Sequence, residues 1–506
     1  MTAIMISRII RLIPCIILPL SGCAVGPDFE IPAAPEIESY TAAEMPLTSV
    51  ETKGHGGGAQ HFVKGGSIPA DWWRLFHSKK LNDLIEKGIK NNNNLKAAQA
   101  ALRQAEANYW VAIGPLFPAV TGGGNGSRQR VNGASLDETS LQPVTFNLFN
   151  VGFNLSYTLD VFGGIRRQVE AAGAQVDFQD FEEKAAFLTL TSNIVTTAIM
   201  EASLRAQIDA TQQLVFFQEK NYEISKKSFD LGGKSKIDTL AQEAQLYQTK
   251  GLIAPLQNSL AQQRTTLAVL VGELPSASTI TPFDLDEITL PTEMPMGIPS
   301  CLVHGRPDVR AAEALLHAAS AQIGVATANL LPQFTITGNY GGTSNFIKDL
   351  FKHSANVWTL MGGVLQPIFE GGALIAKQDA AIAAFEQAFA QYRETVLEAY
   401  KNVADALQAL ELDAVQLQVL TEAERAATES LKLTQVQYDL GAVSYLNLII
   451  AQRQYLQSRI SRIQALASRY TNTAALFQAL GGGWWNEKGQ LSPCALKEQK
   501  GSENVL

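Results

Sequence analysis

Cysteine and histidine are scarce in this chain, four and six in 506 residues. No CxxC occurs, and His55, His61, His77, His304, His317 and His353 are scattered without the short spacings that aim two ligands at one ion. No metal and no cofactor is expected. A phosphate loop is also missing. The stretch "LGGKSKIDTL" (231–240) has the Gly-Lys-Ser order, but the further glycine needed five residues earlier, where backbone N–H groups must turn inward around an anion, is Ser228. With no nucleophile motif either, nothing here carries an enzyme. Base is in deficit as well, with 40 Lys+Arg against 48 Asp+Glu, which argues against a nucleic-acid partner. After Leu20 no apolar run is long enough for a membrane helix.

What is present begins with an address. Arg8 and Arg11 precede or interrupt an apolar run from Ile9 to Leu20, and Leu20-Ser21-Gly22-Cys23 follows at once, a secretory signal with small residues at the cut. It resembles the lipobox of bacterial lipoproteins, which implies cleavage before Cys23 and acylation of that residue. Ala24 in second place implies sorting to the outer membrane. The alternative, an unlipidated signal anchor, has too short an apolar run to span. Removing residues 1–22 leaves 38 basic against 48 acidic residues, a net charge of −10. Cys15 leaves with the signal. Cys301 and Cys494 remain, and an exported protein permits a disulfide between them without the sequence requiring one.

The architecture is written twice. "NLKAAQAAL" from Asn94 matches "DVRAAEALL" from Asp308, "LFP" ending at Pro118 matches "LLP" ending at Pro332, and "DVFGG" ending at Gly164 parallels "PIFEGG" ending at Gly372. "FDLGGKSKIDTL" from Phe229 parallels "YDLGAVSYLNLI" from Tyr438. In the second copy Ala442-Val443-Ser444 stands where the first has Gly233-Lys234-Ser235, so the lysine is dispensable and the stretch reads as a turn. Gly232 and Gly441 supply the left-handed residue that ends a helix.

Neither glycine nor proline interrupts 174–231 or 373–440. At about 1.5 Å per residue such a helix reaches roughly 100 Å. Val396, Val403, Leu410 and Leu417 recur every seven residues, with Tyr400, Leu407, Ala414 and Thr421 four places after each, which is a coiled-coil seam. A weaker seam runs through Leu188, Val195, Ile199, Ala202 and Ala206. Further helical runs, about 235–272 and 443–480, follow the turns, so each copy ends in a long antiparallel hairpin.

Between the proline and the glycine pair the period becomes two. Val151, Phe153, Leu155, Tyr157, Leu159 and Val161 alternate with Gly152, Asn154, Ser156, Thr158 and Asp160, as in a tilted strand with lipid on one face and water on the other. Phe334, Ile336 and Tyr340 alternate likewise, and weaker strands lie around 117–130 and 357–368. A half-buried strand of a soluble sheet would show the same alternation, but nothing else in the chain reads as a covering β layer. Four strands cannot close a barrel, and an open edge in lipid leaves backbone groups unsatisfied, so oligomerisation is required.

These features together resemble the outer-membrane efflux proteins, the TolC-like ducts, in their NodT-type lipoprotein branch. The marks are Cys23 with "GPDF", "DWWRLF" at 71–76, "LPQF" at 331, "FEGG" at 369, "YDLGAVSYLNL" at 438, "ALGGGW" at 479 and the join "GIPSCLVHGRPDVRAAEALL" at 297–316, where His304 and Gly305 depart slightly from the usual residues. The resemblance implies a mixed α/β membrane protein whose duplicated helix-strand-strand-helix-helix repeat builds a homotrimer. Three times four strands would form one 12-stranded β-barrel, above a long periplasmic α-helical barrel ringed by a belt. The division is a signal peptide 1–22, a lipidated segment 23–70, a first repeat 71–272, a linker 273–305, a second repeat 306–480 and a tail 481–506.

The implied role is an outer-membrane exit duct of a tripartite resistance-nodulation-division (RND) efflux system, passing drugs, toxic compounds or metals. Its partners would be outer-membrane lipid, a periplasmic adaptor and an inner-membrane RND pump. Leu231, Gly232, Leu440 and Gly441 would form the adaptor-docking tips. Asp238 and its counterpart Asn447 would stand at the periplasmic gate, less acidic than usual because Asn447 and Ile450 depart from the family's pattern. Type I secretion is the runner-up duct. A lipid-anchored coiled-coil scaffold without a pore would explain Cys23 and the helices but not the alternating strands.

Overall fold

A computed structural model describes residues 24–486 apart from positions 36, 38, 42–44, 67, 132–142 and 298. Cys23 and Cys494 therefore lie outside the described residues. The chain divides into two compact units.

The first unit comprises residues up to Pro32, Ala101–Gln179 and Ala312–Tyr392. Its centre is a four-stranded antiparallel sheet of β2 (Ala119–Val131), β3 (Val144–Leu159), β5 (Gln333–Ser344) and β6 (Asn356–Leu365), in the order β2-β3-β5-β6. The central pairing, β3 with β5, joins the two sequence copies, from Leu159 opposite Phe334 to Phe149 opposite Ser344. Strands β2 and β6 are open edges. Alternation sorts the faces. Phe153, Leu155, Tyr157, Ile336, Tyr340, Trp358, Leu360 and Val364 share one face, and Asn125, Asn150, Asn154, Asn339 and Thr343 the other.

The second unit comprises Ala33–Ala100, Asp180–Ala311 and the chain from Arg393. Two helices of 67 residues each, α3 (Gly164–Asp230) and α8 (Ala373–Asp439), begin in the first unit and end in the second. Their equal length is the duplication made visible. Each folds back through a glycine turn, α3 into α4 (Lys236–Gly251) and α5 (Ile253–Leu270), and α8 into α9 (Tyr445–Ala479). The expected seam is buried: Val403, Leu407, Leu410, Ala414 and Leu417 on α8, and Val195, Ile199 and Ala202 on α3. The return arms differ, because the first is broken at Leu252 where the second is continuous. Pro255 has no N–H to bond Gly251, and the amide of Leu252 bonds Thr249 three residues back. One 18-residue stretch of α3 reaches a mean hydropathy of 1.2, contrary to the expectation that no such run follows Leu20; 50% of it is buried, as in a core helix.

A two-stranded parallel sheet, not anticipated from the sequence, pairs β1 (His61–Lys64) with β4 (Glu293–Met296). Beside it the guanidinium of Arg469, fully buried on α9, donates to the carbonyls of Gly56 and Gly58 and to Ser49 Oγ. The Tyr470 hydroxyl donates to Ile288 O at 2.9 Å, and Gln60 bridges Pro291 O and Thr473 Oγ1 at 3.2 Å each. N-terminal, inter-repeat and C-terminal segments are thus held together as the belt. Trp72 of the "DWWRLF" stretch is wholly buried and stacks on Phe477, centroids 5.3 Å apart. Cys301 is disulfide-bonded, and Cys494, the partner the sequence permits, lies outside the described residues.

Candidate channel surfaces and tips

The sheet has the chemistry of a wall between lipid and water. Large side chains on its apolar face are uncovered in the single chain, with Phe153 63% and Trp358 72% exposed, an expanse that a water-facing surface does not present. Register sets Gly122, Phe153, Tyr340 and Trp358 in one row, an aromatic girdle. Ten residues separate the Leu159 row from the Phe149 row. That is about 34 Å along the strand, or about 25 Å of height at a barrel's usual tilt.

The opposite face carries an uncharged hydrogen-bonded ladder. Asn150 Nδ2 donates to Asn125 Oδ1 (3.0 Å), Thr343 Oγ1 to Asn150 Oδ1 (2.8 Å) and Asn339 Nδ2 to Asn154 Oδ1 (2.7 Å). No Asp, Glu, Lys or Arg lies on this face of the described strands.

The two glycine turns are built alike. Gly232 and Gly441 take φ of 77° and 75°, the left-handed region. Gly232 N–H bonds Phe229 O and Gly233 N–H bonds Ser228 O, just as Gly441 bonds Tyr438 O and Ala442 bonds Gln437 O. Each is a Schellman cap that satisfies the final carbonyls of a 67-residue helix. The adjoining Leu231 and Leu440 are 88% and 79% exposed. Asp238 lies exposed in the first turn of α4, whose N-cap is Ser235, and Asn447 lies exposed in the first turn of α9 after Ser444.

The turns are linked by a contact that the sequence reading, which took Lys234 as dispensable, did not anticipate. Lys234 Nζ donates to the Tyr438 hydroxyl and sits over its ring at 4.8 Å, and Gln242 Nε2 donates to the same hydroxyl at 3.1 Å. This occupies the lysine of the phosphate-loop-like stretch. The signal was present: Tyr438 in the second copy replaces Phe229 in the first, adding one hydroxyl. Behind it Tyr445, Leu448 and Ile449 form a buried cluster, and burial, with Tyr438 adding, pushes the Tyr445 phenol well above its usual pKa.

At the start of α3 the first described residues are clasped. Arg167 donates to Val25 O, Gly26 O and the Asp28 carboxylate, and also pairs with Glu170, which in turn meets His317 Nε2 at 2.9 Å. Phe29 stacks on the His317 ring at 4.4 Å. Ala24, next to Cys23, is so held at the start of α3 in the first unit.

The model of the family described as outer membrane efflux protein matches residues 84–273 and 298–482. The chain belongs to that family. This efflux protein is 29% identical, over 95% of its length and 96% of theirs, to the probable efflux pump outer membrane protein TtgC of Pseudomonas putida. It is 28% identical, over 94% and 99%, to the cation efflux system protein CusC of Escherichia coli. Among solved structures, the outer-membrane channel OprN superimposes with a TM-score of 0.82 at 27% identity, covering 91% of the efflux protein and 100% of OprN. The fold is that of the TolC-like channels, the location is the outer membrane, and the family is one of efflux channels rather than enzymes.

Proposed function

We propose that three copies of the chain close one 12-stranded barrel and form the exit duct of a tripartite RND-type system, docked to a periplasmic adaptor and an inner-membrane pump. The observation that carries this reading is the open four-stranded sheet: two edges free to pair, one face apolar and bare, the other polar. Residues 1–22 are removed as the signal, Cys23 bears the lipid, 71–272 and 306–480 are the working repeats, and 273–305 joins them. The exposed leucines at Leu231-Gly232 and Leu440-Gly441 suit apolar docking of adaptor hairpins. Asp238, with Asn447, lines the gate, where symmetry turns one carboxylate into a ring of three. The two named relatives fall within one percentage point of identity, one called a cation system and the other an efflux pump, so identity does not choose a cargo.

The purified protein in a planar bilayer should give stable unitary conductance from a trimer. A trimer-sized, lipidated protein that never conducts would instead favour the pore-free scaffold.

A further inference from the structure

The two ends of the sheet differ in charge. At its helix end Asp160 is neutralised by Arg166, and Arg167 by Asp28 and Glu170. At the hairpin end, beyond the aromatic row, Arg128 and Arg130 lie on the apolar face, exposed and two residues apart on β2. The β5–β6 connection adds Lys348 and Lys352, with Asp349 alone against them at 2.5 Å from Lys352. By sequence the segment 132–142, outside the described residues, brings Asp137 and Glu138.

This connection does not stand away from the sheet but folds back over it. Leu350 O would lie 2.3 Å from a Cβ on Gly342, so only glycine permits the approach. A cavity of about 640 Å³ results, lined by Val151, Phe153, Tyr340, Leu350, Phe351 and His353 among others, over a glycine floor. Phe346, Ile347 and Phe351 project beside the two lysines, each at least 60% exposed. The cavity sits chiefly over β3 and β5, the two central strands, so closure through the β2 and β6 edges leaves it uncovered.

We propose that this is a binding site for a phosphorylated, multiply acylated glycolipid of the outer leaflet of the outer membrane. An acyl chain occupies the cavity, and the phosphates meet Lys348, Lys352, Arg128 and Arg130 at the level where such side chains reach a headgroup plane. Val151, Phe153, Tyr340, Leu350 and Phe351 give an acyl chain its walls, and Lys352 lines the same cavity where a phosphate would meet it. The site rests on the barrel proposed above, with its hairpins outward. It fixes the depth of each protomer in the leaflet and gives the channel a preferred lipid.

Native mass spectrometry of the purified trimer, titrated with bis-phosphorylated hexa-acyl lipid A, tests it. The trimer should retain up to three lipid A molecules. Phosphatidylethanolamine, dephosphorylated lipid A, and the Lys348→Gln/Lys352→Gln variant with intact lipid A should each bind about tenfold or more weakly. Gly122→Leu, which places a side chain beside Phe153 on the cavity face, should weaken lipid A binding with all four basic residues present. Equal binding of lipid A and phosphatidylethanolamine, or no loss in the lysine variant, overturns the site. Conductance of the same preparation separates the two readings: a conducting trimer without lipid A preference sinks only the lipid site, whereas a preparation that binds no lipid A and does not conduct sinks the duct and the site together.

Discussion

Asp238 has two roles open to it. In the first turn of α4 its carboxylate complements the helix N-terminus whatever the channel does. The gate role adds a like-charged ring that focuses negative potential on a narrow axis. The asparagine and threonine face of the described strands carries no charge of its own. Asp238→Asn should lower the cation preference read from reversal potentials in planar bilayers, while Asp209→Asn, far from the tip in sequence, leaves it alone. Equal preference in wild type and the Asp238 variant would place the filter elsewhere. Asp413 is buried on α8. Burial raises its pKa above the ordinary 3.8, opposed by the Asn472 amide at 2.7 Å and by Arg469. A folded-state pKa above the unfolded one means its favourable contribution is complete below the unfolded value and is lost as pH rises through the folded one. Asp413→Asn should therefore raise the thermal midpoint at pH 8 and change it little at pH 4. A lower midpoint at pH 8 would show that the charge itself is needed.

Among the elements, the tips combine a need of the backbone with an opportunity for a partner. Both glycines have open space where a Cβ would project, so neither is required by a contact within the chain. Their positive φ is what a β-branched side chain opposes, at a cost of about 1–2 kcal/mol. Gly232→Val with Gly441→Val should leave trimers intact and abolish cross-linking to the adaptor. Unchanged cross-linking with reduced helix content would assign the glycines to capping alone. The belt is another element-scale structure, and Arg469 is its pin. Arg469→Ala removes three hydrogen bonds from a wholly buried site and should destabilise the second unit by about 2–4 kcal/mol, read as a lower unfolding midpoint in detergent.

For the molecule as a whole, membrane insertion depends on edge closure and on an anchor. A flexible cross-linker reactive toward cysteines introduced as Thr121→Cys on β2 and Thr359→Cys on β6 should give a trimer band on denaturing gels, because these strands are the free edges. A ladder ending at dimer would contradict a closed threefold barrel. Cys23→Ser should abolish acylation and weaken anchoring, with barrel insertion retaining part of the protein. Mass spectrometry of the mature N-terminus decides it, and an unmodified Cys23 in mature protein removes the lipoprotein claim.

The repeat, the heptads of α8, the alternation of β3 and the capping glycines were legible in the sequence because each is a local periodicity or a local backbone demand. Val403 and Leu410 face the seam wherever the helix goes, and Phe153 and Asn154 face opposite ways whatever pairs with them. Only the tertiary structure decided what depends on distant segments meeting. It paired β3 with β5 and laid four-residue β1 against β4, too short a strand to show a period. It brought Arg469 to the carbonyls of Gly56 and Gly58, more than 400 residues away in the chain, and Arg167 to those of Val25 and Gly26. It also folded Leu350 over Gly342. Contacts to backbone carbonyls leave no signature in side-chain order, since every residue supplies the same acceptor, and that is why the clasp, the belt and the lipid-facing cavity had to be seen rather than read.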